Sequence, residues 1–346
     1  MAGRITLNDV AHAADVSLAT ASRAINGSPN RRVRADLRER VLAASERLGY
    51  TPDANAQAVA RGRTTSLGLI VHDIADPYFS AIAAGVARAA DAAGFQVTLA
   101  STQNRPSREV ELVRLLQSQR SRAIILVGGR YSDTDAARLT DVLANHRAAG
   151  GAAVVIGQPL PGVDTVAVDN RGGAAALAKR LHDLGYRRPI LFGGPDGHLT
   201  ARARREGFTA VFAELGAPIP SHRLISGGFT HDDGEAAFLQ LWERDGGRLD
   251  GDVVFAVNDV MALGALAAAR DVGAEVPESV ALAGFDDIPT LRDVVPRLTT
   301  VAIPLTQVGE WATALALSQP EAEARVRTVP AEVVVRDSTP RRQPAV

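Results

Sequence analysis

The sequence predicts an α/β protein in which a small helix-turn-helix head precedes a larger body built on two parallel sheets. Three observations carry that prediction. The first 50 residues read as three short helical periods without a strand. From Ser66 onward short apolar runs alternate with amphipathic stretches, and after "DTVAVDN" (164–170) the series begins again, which gives two successive βαβα runs and two open parallel sheets. A chain of 346 residues with 46% hydrophobic and 22% charged side chains is also too long for one small core.

In the head, Thr6 is placed to cap a first helix, with Asp9 three positions on answering it and Leu7, Val10 and Ala14 on one face. The chain turns at Asp15-Val16. Ser17 caps a second helix, which turns Ala21, Ala24 and Ile25 inward and stops at Asn26-Gly27. A third helix, about 35–48, carries Leu37, Val41, Leu42 and Leu48 as its stripe, and Gly49 ends it. Two short helices joined tightly and braced by a third make a helix-turn-helix.

The second helix, inside "DVSLATASRAING", is lined almost entirely with small side chains. A helix that enters a major groove about 12 Å wide needs small residues for close approach and a few long ones to reach the bases. Its outward positions are Leu18, Ala19, Ser22 and Arg23. Arg23 can fork onto a guanine, Leu18 and Ala19 can meet thymine methyls, and Thr20 and Ser22 suit phosphates. Charge agrees: residues 1–63 hold ten arginines against six acids, +4, while the remainder holds 28 basic and 33 acidic side chains, −5. A basic head on an acidic body suits contact with nucleic acid at one end.

In the body, strands are expected at "LGLIV" (67–71), "FQVTLA" (95–100), "AIILVG" (123–128) and "AAVVIG" (152–157), with helices near 78–93, 107–119 and 134–149. The second run has strands at "PILFGG" (189–194), "RLISGG" (223–228), "DVVFAV" (252–257) and "SVALAGF" (279–285). Ligands of open parallel sheets sit at the carboxyl ends of the strands, so the cleft between the sheets is the expected site.

Several classes are excluded. Cysteine is absent, which removes disulfides, thiolate nucleophiles and thiolate metal sites. There is no Walker loop and no GxSxG elbow, and the glycines of "LFGGPDGH" lack dinucleotide spacing. "HDD" at 231–233 is explained as an acidic first turn of a helix rather than a metal site. No catalytic residue, cofactor or metal is expected. No apolar run approaches the roughly 20 residues of a membrane helix, and "MAGRITLNDV" has no apolar signal core, so a cytoplasmic protein without a membrane partner is expected.

"LNDVAHAADVSLATASRAING", "LGYTPDANAQAVARGRT" and the body stretches "DIADPYF", "ARARREGF", "VNDVMALGAL" and "AGFDD" occur in one order along nearly the whole chain. Together they resemble the lactose/galactose repressor family of bacterial transcription regulators. The resemblance implies a body of the periplasmic sugar-binding-protein-like fold, crossed three times by the chain. The organisation expected is a head at 1–50, a hinge helix or linker at 51–65, one lobe from 66–163 with 303–320, the other from 164–302 with 321–340, and a tail at 341–346. It implies a homodimer on a pseudo-palindromic double-stranded operator, with a small-molecule effector, most simply a sugar, between the lobes. Purine- and nucleoside-responsive relatives share the architecture, and a sugar-binding protein without a DNA role shares the body.

Residue by residue, Thr6, Ser17, Leu18, Ala19, Thr20, Ser22, Arg23, Asn26 and Arg34 are the DNA-contacting set in the head. In the hinge, Ala56 lets two hinge helices approach, and Val59 stands where the family's minor-groove wedge is usually leucine, so the inserted surface is smaller. Arg31, Arg32 and Arg34 add sequence-blind phosphate affinity. In the cleft the family motifs place Asp76, Phe79, Arg204, Phe229, Asn258 and Asp286: guanidinium, amide and carboxylate forks for hydroxyl pairs and an aromatic wall for a sugar's C–H face. Gly128, Gly129 and Gly157 stand where relatives often have polar contacts, and Ile303 where glutamine is frequent, so a roomier cleft is expected. The alanine-rich helix 78–93 is a candidate dimer surface.

Overall fold

The computed structural model describes residues 5–26, 33–51, 64–105, 107–131, 133–321 and 323–342. The chain divides into two compact units, Met1–Thr65 and Ser66–Val346. Ala56 and Val59 of the linker, with Arg31 and Arg32, lie outside the described residues.

The head has α1 (Leu7–Ala13), α2 (Leu18–Asn26) and α3 (Ala35–Leu48). Thr6 and Asp9 close the expected capping box on α1, and Thr20 N–H donates to Ser17 Oγ at 3.1 Å to start α2. Gly49 ends α3 at φ +64°, a conformation that glycine adopts without strain. Arg40 of α3 donates to the Ala14 carbonyl at 2.6 Å, which ties the last turn of α1 to the brace. Val10, Ala14, Ala21, Ala24, Val41 and Ala44 form the small core. Leu42 is a correction: it is 43% exposed, because it sits about 100° round the helix from Val41, and Ala44 takes the inward place.

The body opens with β1 (Ser66–Val71), α4 (Pro77–Ala92), β2 (Gln96–Ser101), α5 (Ser107–Ser118), β3 (Ala123–Val127), α6 (Asp133–Ala148), β4 (Ala152–Ile156) and β5 (Asp164–Val168). The second run is α7 (Asn170–Asp183), β6 (Pro189–Phe192), α8 (Leu199–Glu214), β7 (Leu224–Ile225), α9 (His231–Arg244), β8 (Val253–Ala256), α10 (Asp259–Asp271) and β9 (Ala281–Ala283). The chain then adds β10 (Thr300–Ala302), α11 (Leu305–Leu317), β11 (Val326–Val329) and β12 (Glu332–Val334). The first sheet runs β11-β5-β4-β3-β1-β2 and the second β7-β6-β8-β9, parallel throughout, with β10 and β12 as an antiparallel ribbon beside β9 and α7.

Two lobe assignments differ from expectation. β5 pairs with β4 in the first sheet, Val154 opposite Asp164, so the second lobe begins after Val168 rather than at Asp164. β11 also joins the first sheet, Val326 opposite Thr165, although it lies within 321–340. Alternation of strand and helix says that a strand exists; only its pairing says which sheet it extends. α11 packs on α4 and on β3 and β4 of the first sheet. β7 is shorter than "RLISGG", an edge strand of two residues with Leu224 40% exposed.

α4 and α11 touch backbone to backbone. A Cβ on Gly85 would stand 2.0 Å from the Thr306 carbonyl oxygen, and one on Gly309 2.2 Å from that of Ile82. The inward face of α4 is therefore taken by α11, and Ala84, Ala87 and Arg88 face outward.

Candidate ligand cleft and DNA-reading helix

In the body, the loops and helices that follow β1, β6, β7, β8 and β9 bring Asp76, Phe79, Arg204, Phe229, Asn258 and Asp286 to one cavity of about 80 Å³. An ordered water needs about 10–15 Å³ of such space, so the cavity holds roughly six waters, the displacement of one sugar ring. All six expected residues line it.

Arg204 is its centre. It is 4% exposed, donates from Nε to Asn170 Oδ1 at 2.8 Å, from Nη1 to the Val257 carbonyl at 2.6 Å and from Nη2 to Asp286 Oδ1 at 2.7 Å. Its guanidinium lies 3.8 Å above the Phe285 ring. Glu206, two residues on, pairs with Arg171 at 3.2 Å. Five N–H donors less three bonds leave two for a ligand.

Asp76 and Asn258 do two things each. Asp76 Oδ1 accepts from Tyr78 N–H at 2.8 Å as the cap of α4, and Asn258 Oδ1 accepts from Met261 N–H at 2.8 Å as the cap of α10 while its amide donates to the Phe229 carbonyl. Asp286 holds φ +116°, unusual for a residue with a side chain and stabilised by its backbone bond to Val301 and its ion pair with Arg204. Phe79 packs at the edge of the core, 5.5 Å from the His72 ring, and Phe229 meets His198 edge to face at 4.7 Å.

Burial dominates the electrostatics. It pushes Asp286 up to about 6 against the pull of Arg204, and Asp259, wholly buried next to it, up to about 8, with the charge of Asp286 adding to the effect. Asp76 is raised for the same reason. Burial, then the charges of His72 and Arg204, bring His198 down to about 3, so at neutral pH it is an uncharged imidazole that accepts from Ala201 N–H through Nδ1.

The expectation of a roomier cleft is overturned. A Cβ on Gly128 would lie 2.4 Å from the His72 ring, and one on Gly129 2.3 Å from the His198 ring and 2.5 Å from Thr200 Oγ1. The space that those glycines release is filled by two imidazoles and a hydroxyl, and polar contact is relocated rather than lost. Ile303 is buried in the core and does not line the cavity.

His72, Asn104, Asn170, His198 and Thr200 line the cavity and were not anticipated. Each lies just past a strand or in the first turn of the next helix, so a rule applied to every strand end would have found them. Family motifs alone did not.

In the head, Ser17, Leu18 and Ala19 are exposed and Thr20, Ser22, Arg23 and Asn26 half-buried. Leu18, 50% exposed, has no packing role in the core. The Thr20 hydroxyl bonds Ser17 Oγ at 2.8 Å and Asn26 Nδ2 donates to Ser22 Oγ at 3.2 Å. No acid lies within ion-pair distance of Arg23 among the described residues. Arg34 forks onto Asp36 at 2.7 and 3.1 Å, and the Thr6 hydroxyl serves the α1 cap.

His231, Asp232 and Glu235 offer ligand atoms within 4.8 Å of one another on the first turn of α9, while Asp233 answers the Thr230 cap. These carboxylates offset the helix dipole. Among the described residues no helix is long and apolar enough to cross a membrane.

Residues 6–53 match the family described as bacterial regulatory proteins, lacI family, and residues 178–339 the periplasmic binding protein-like domain. The HTH-type transcriptional regulator DegA of Bacillus subtilis (strain 168) is 31% identical over 340 residues, 97% of this chain and 98% of its own. Of solved structures, the transcriptional regulator CelR–cellobiose complex is similar with TM-score 0.69 at 30% identity, over 97% of this chain and 100% of its own. The lac repressor dimer bound to operator and the anti-inducer ONPF is similar with TM-score 0.83 at 26% identity, over 98% and 100%. These proteins are transcription regulators, not enzymes.

Proposed function

The chain belongs to the lacI family of bacterial regulatory proteins and is a DNA-binding transcriptional regulator; from that premise we propose that it is a cytoplasmic, homodimeric repressor whose hold on a pseudo-palindromic operator is set by a sugar between its lobes. The observation that carries the effector half is the convergence of Arg204, Asp286, Asn170 and Phe229, from separate helices and loops, on a cavity the size of one ring. A guanidinium with two free donors beside a carboxylate matches a pair of neighbouring hydroxyls, and the phenyl face matches the ring's C–H surface.

Two heads read two half-sites. Arg23 forks onto guanine, Leu18 and Ala19 meet the groove floor, and Ser17, Thr20, Ser22, Asn26, Thr6 and Arg34 hold the backbone. Ala56 and Val59 of the linker act at the central step. The effector prefers one arrangement of the lobes, and that preference is the coupling energy available to change operator affinity. Relatives support both halves: CelR is a regulator complexed with cellobiose, and the lac repressor dimer is bound to operator.

The test is selection of duplexes from a random pool by the full-length protein, followed by anisotropy titrations with and without sugars. An inverted repeat should emerge, and Arg23→Ala should weaken binding to it by about 1–3 kcal/mol and relax one guanine position. A pool that yields no inverted repeat removes the DNA reading; an operator whose affinity no sugar alters, but a nucleoside does, replaces the effector.

A further inference from the structure

A second chamber, of about 30 Å³, adjoins the main cavity on the first-lobe side. His72, Asn104, Gly129, His198 and Phe229 line both, so the two spaces lie side by side. Thr102, Glu109, Arg130 and Tyr131 line the chamber alone. Thr102 is 1%, Arg130 4% and Glu109 6% exposed.

The polar atoms of this chamber are not used up by the fold. Thr102 Oγ1 and Arg130 Nε have no hydrogen-bond partner, although more than nine in ten buried polar groups are paired in folded proteins. Arg130 Nη1 donates to the Gln158 carbonyl at 3.1 Å, which holds the guanidinium in place without satisfying Nε. Glu109 Oε1 meets His72 Nε2 at 3.3 Å. Burial lowers the pKa of Arg130 while the charge of Glu109 raises it, a sign that the two sense each other without forming a direct ion pair.

The chemistry of the chamber repeats that of the main cavity. Each sets an arginine and a carboxylate near one another, Arg204 with Asp286 and Arg130 with Glu109, with a small polar side chain to complete the set, and the main cavity adds the carboxylate of Asp76. That combination recognises neighbouring hydroxyls. An anionic group placed there would face Glu109 as well as Arg130. On the same scale the chamber holds two or three waters, and exposed Tyr131 forms part of its wall, so it admits the near edge of a second unit rather than enclosing a whole ring.

We propose that the effector is a neutral disaccharide or glycoside, with one ring on Arg204, Asp286 and Asn170 and hydroxyls of its second unit on Thr102, Arg130 and Glu109. The proposal rests on the sugar reading of the main cavity and adds the size and charge of the ligand.

The test uses full-length protein and calorimetric titration against glucose, galactose, cellobiose, maltose, lactose and trehalose, with glucuronate and glucose 6-phosphate as acidic probes. A neutral disaccharide should bind at least tenfold tighter than its component monosaccharides. Thr102→Val, which keeps the shape and removes only the hydroxyl, should erase most of that advantage and leave monosaccharide affinity within twofold. Unfolding monitored by circular dichroism verifies that the variant folds; Thr102→Ser, which restores the hydroxyl, should regain the advantage if it folds less well. A monosaccharide that binds as tightly as every disaccharide, an acidic sugar that binds tightest, or an unchanged ratio in Thr102→Val overturns the chamber assignment while the cleft reading stands. If no sugar of any kind binds, the cleft reading itself falls and the chamber assignment with it.

Discussion

Replacing Arg204 with Met tests the centre of the cleft. The change removes three hydrogen bonds and one arm of an ion pair whose side chains are 5% and 6% exposed. Met keeps an apolar stem over Phe285, so packing changes little and the loss is electrostatic. Breaking one side of a buried pair costs about 3–5 kcal/mol, because the partner charge is left unmatched. Asp286 has an escape: its carboxyl titrates at about 6 even beside Arg204, rises further without it, and takes up a proton at pH 7. The loss should therefore lie near 3 kcal/mol at pH 7 and shrink toward pH 5.5, where the carboxyl is already largely neutral. A folded pKa above the unfolded one gives stability that is complete below the unfolded pKa and lost as pH rises through the folded one, so the deficit grows toward pH 8. Urea unfolding at pH 5.5, 7 and 8 reads this directly. In Arg204→Met/Asp286→Asn the second change removes the carboxyl that the first forces to take up a proton, and the double variant should be at least about 2 kcal/mol more stable than the two single losses predict. Single losses that add to within about 0.5 kcal/mol would refute the coupling.

Asp259→Asn should flatten the pH dependence of the body. Asp259 reaches about 8 by burial, then by the charge of Asp286, so its contribution is complete below about pH 4 and is lost as pH rises through 8, with a slope near 1.4 kcal/mol per pH unit in between; equal slopes for wild type and variant from pH 5.5 to 8.5 would contradict this. Gly85→Ala should destabilise by about 1–3 kcal/mol, since the new methyl meets the Thr306 carbonyl at 2.0 Å and overpacking outweighs the gain in helix propensity. A melting temperature equal to or above wild type would show that the helices do not approach this closely.

Much of this was legible because period and capping are local. The caps at Thr6 and Ser17, the end at Gly49 and most strands of the body follow from a few neighbouring side chains each. Sheet membership of β11 was not, since its pairing with β5 joins segments about 160 residues apart; that of β5 was missed although its partner β4 lies only ten residues back, because strand-helix alternation does not say which sheet a strand extends. In the cleft, Asp76, Arg204 and Asp286 could be placed by motif, but the partners of Arg204 could not, because Asn170 and Asp286 lie 34 and 82 residues away. The fate of the glycines was hidden for the same reason. A residue without a side chain does not announce which distant ring will occupy its space, and His198 reaches Gly129 from the opposite lobe.

The order of strands in the first sheet bears on how the polypeptide reaches its native state during synthesis. The edge strand Val326–Val329 and the covering helix Leu305–Leu317 are made after the sheet of the other lobe, yet they complete the lobe whose first strand begins at Ser66. That lobe waits, with one sheet edge and one apolar face unprotected, while the whole of the other is made. Residues 338–342 then fasten to the second lobe, where Ser338 bonds Leu282 and Arg342 bonds Leu184. A premature stop near residue 300 would consequently deprive both halves at once, leaving an aggregation-prone fragment instead of one finished lobe.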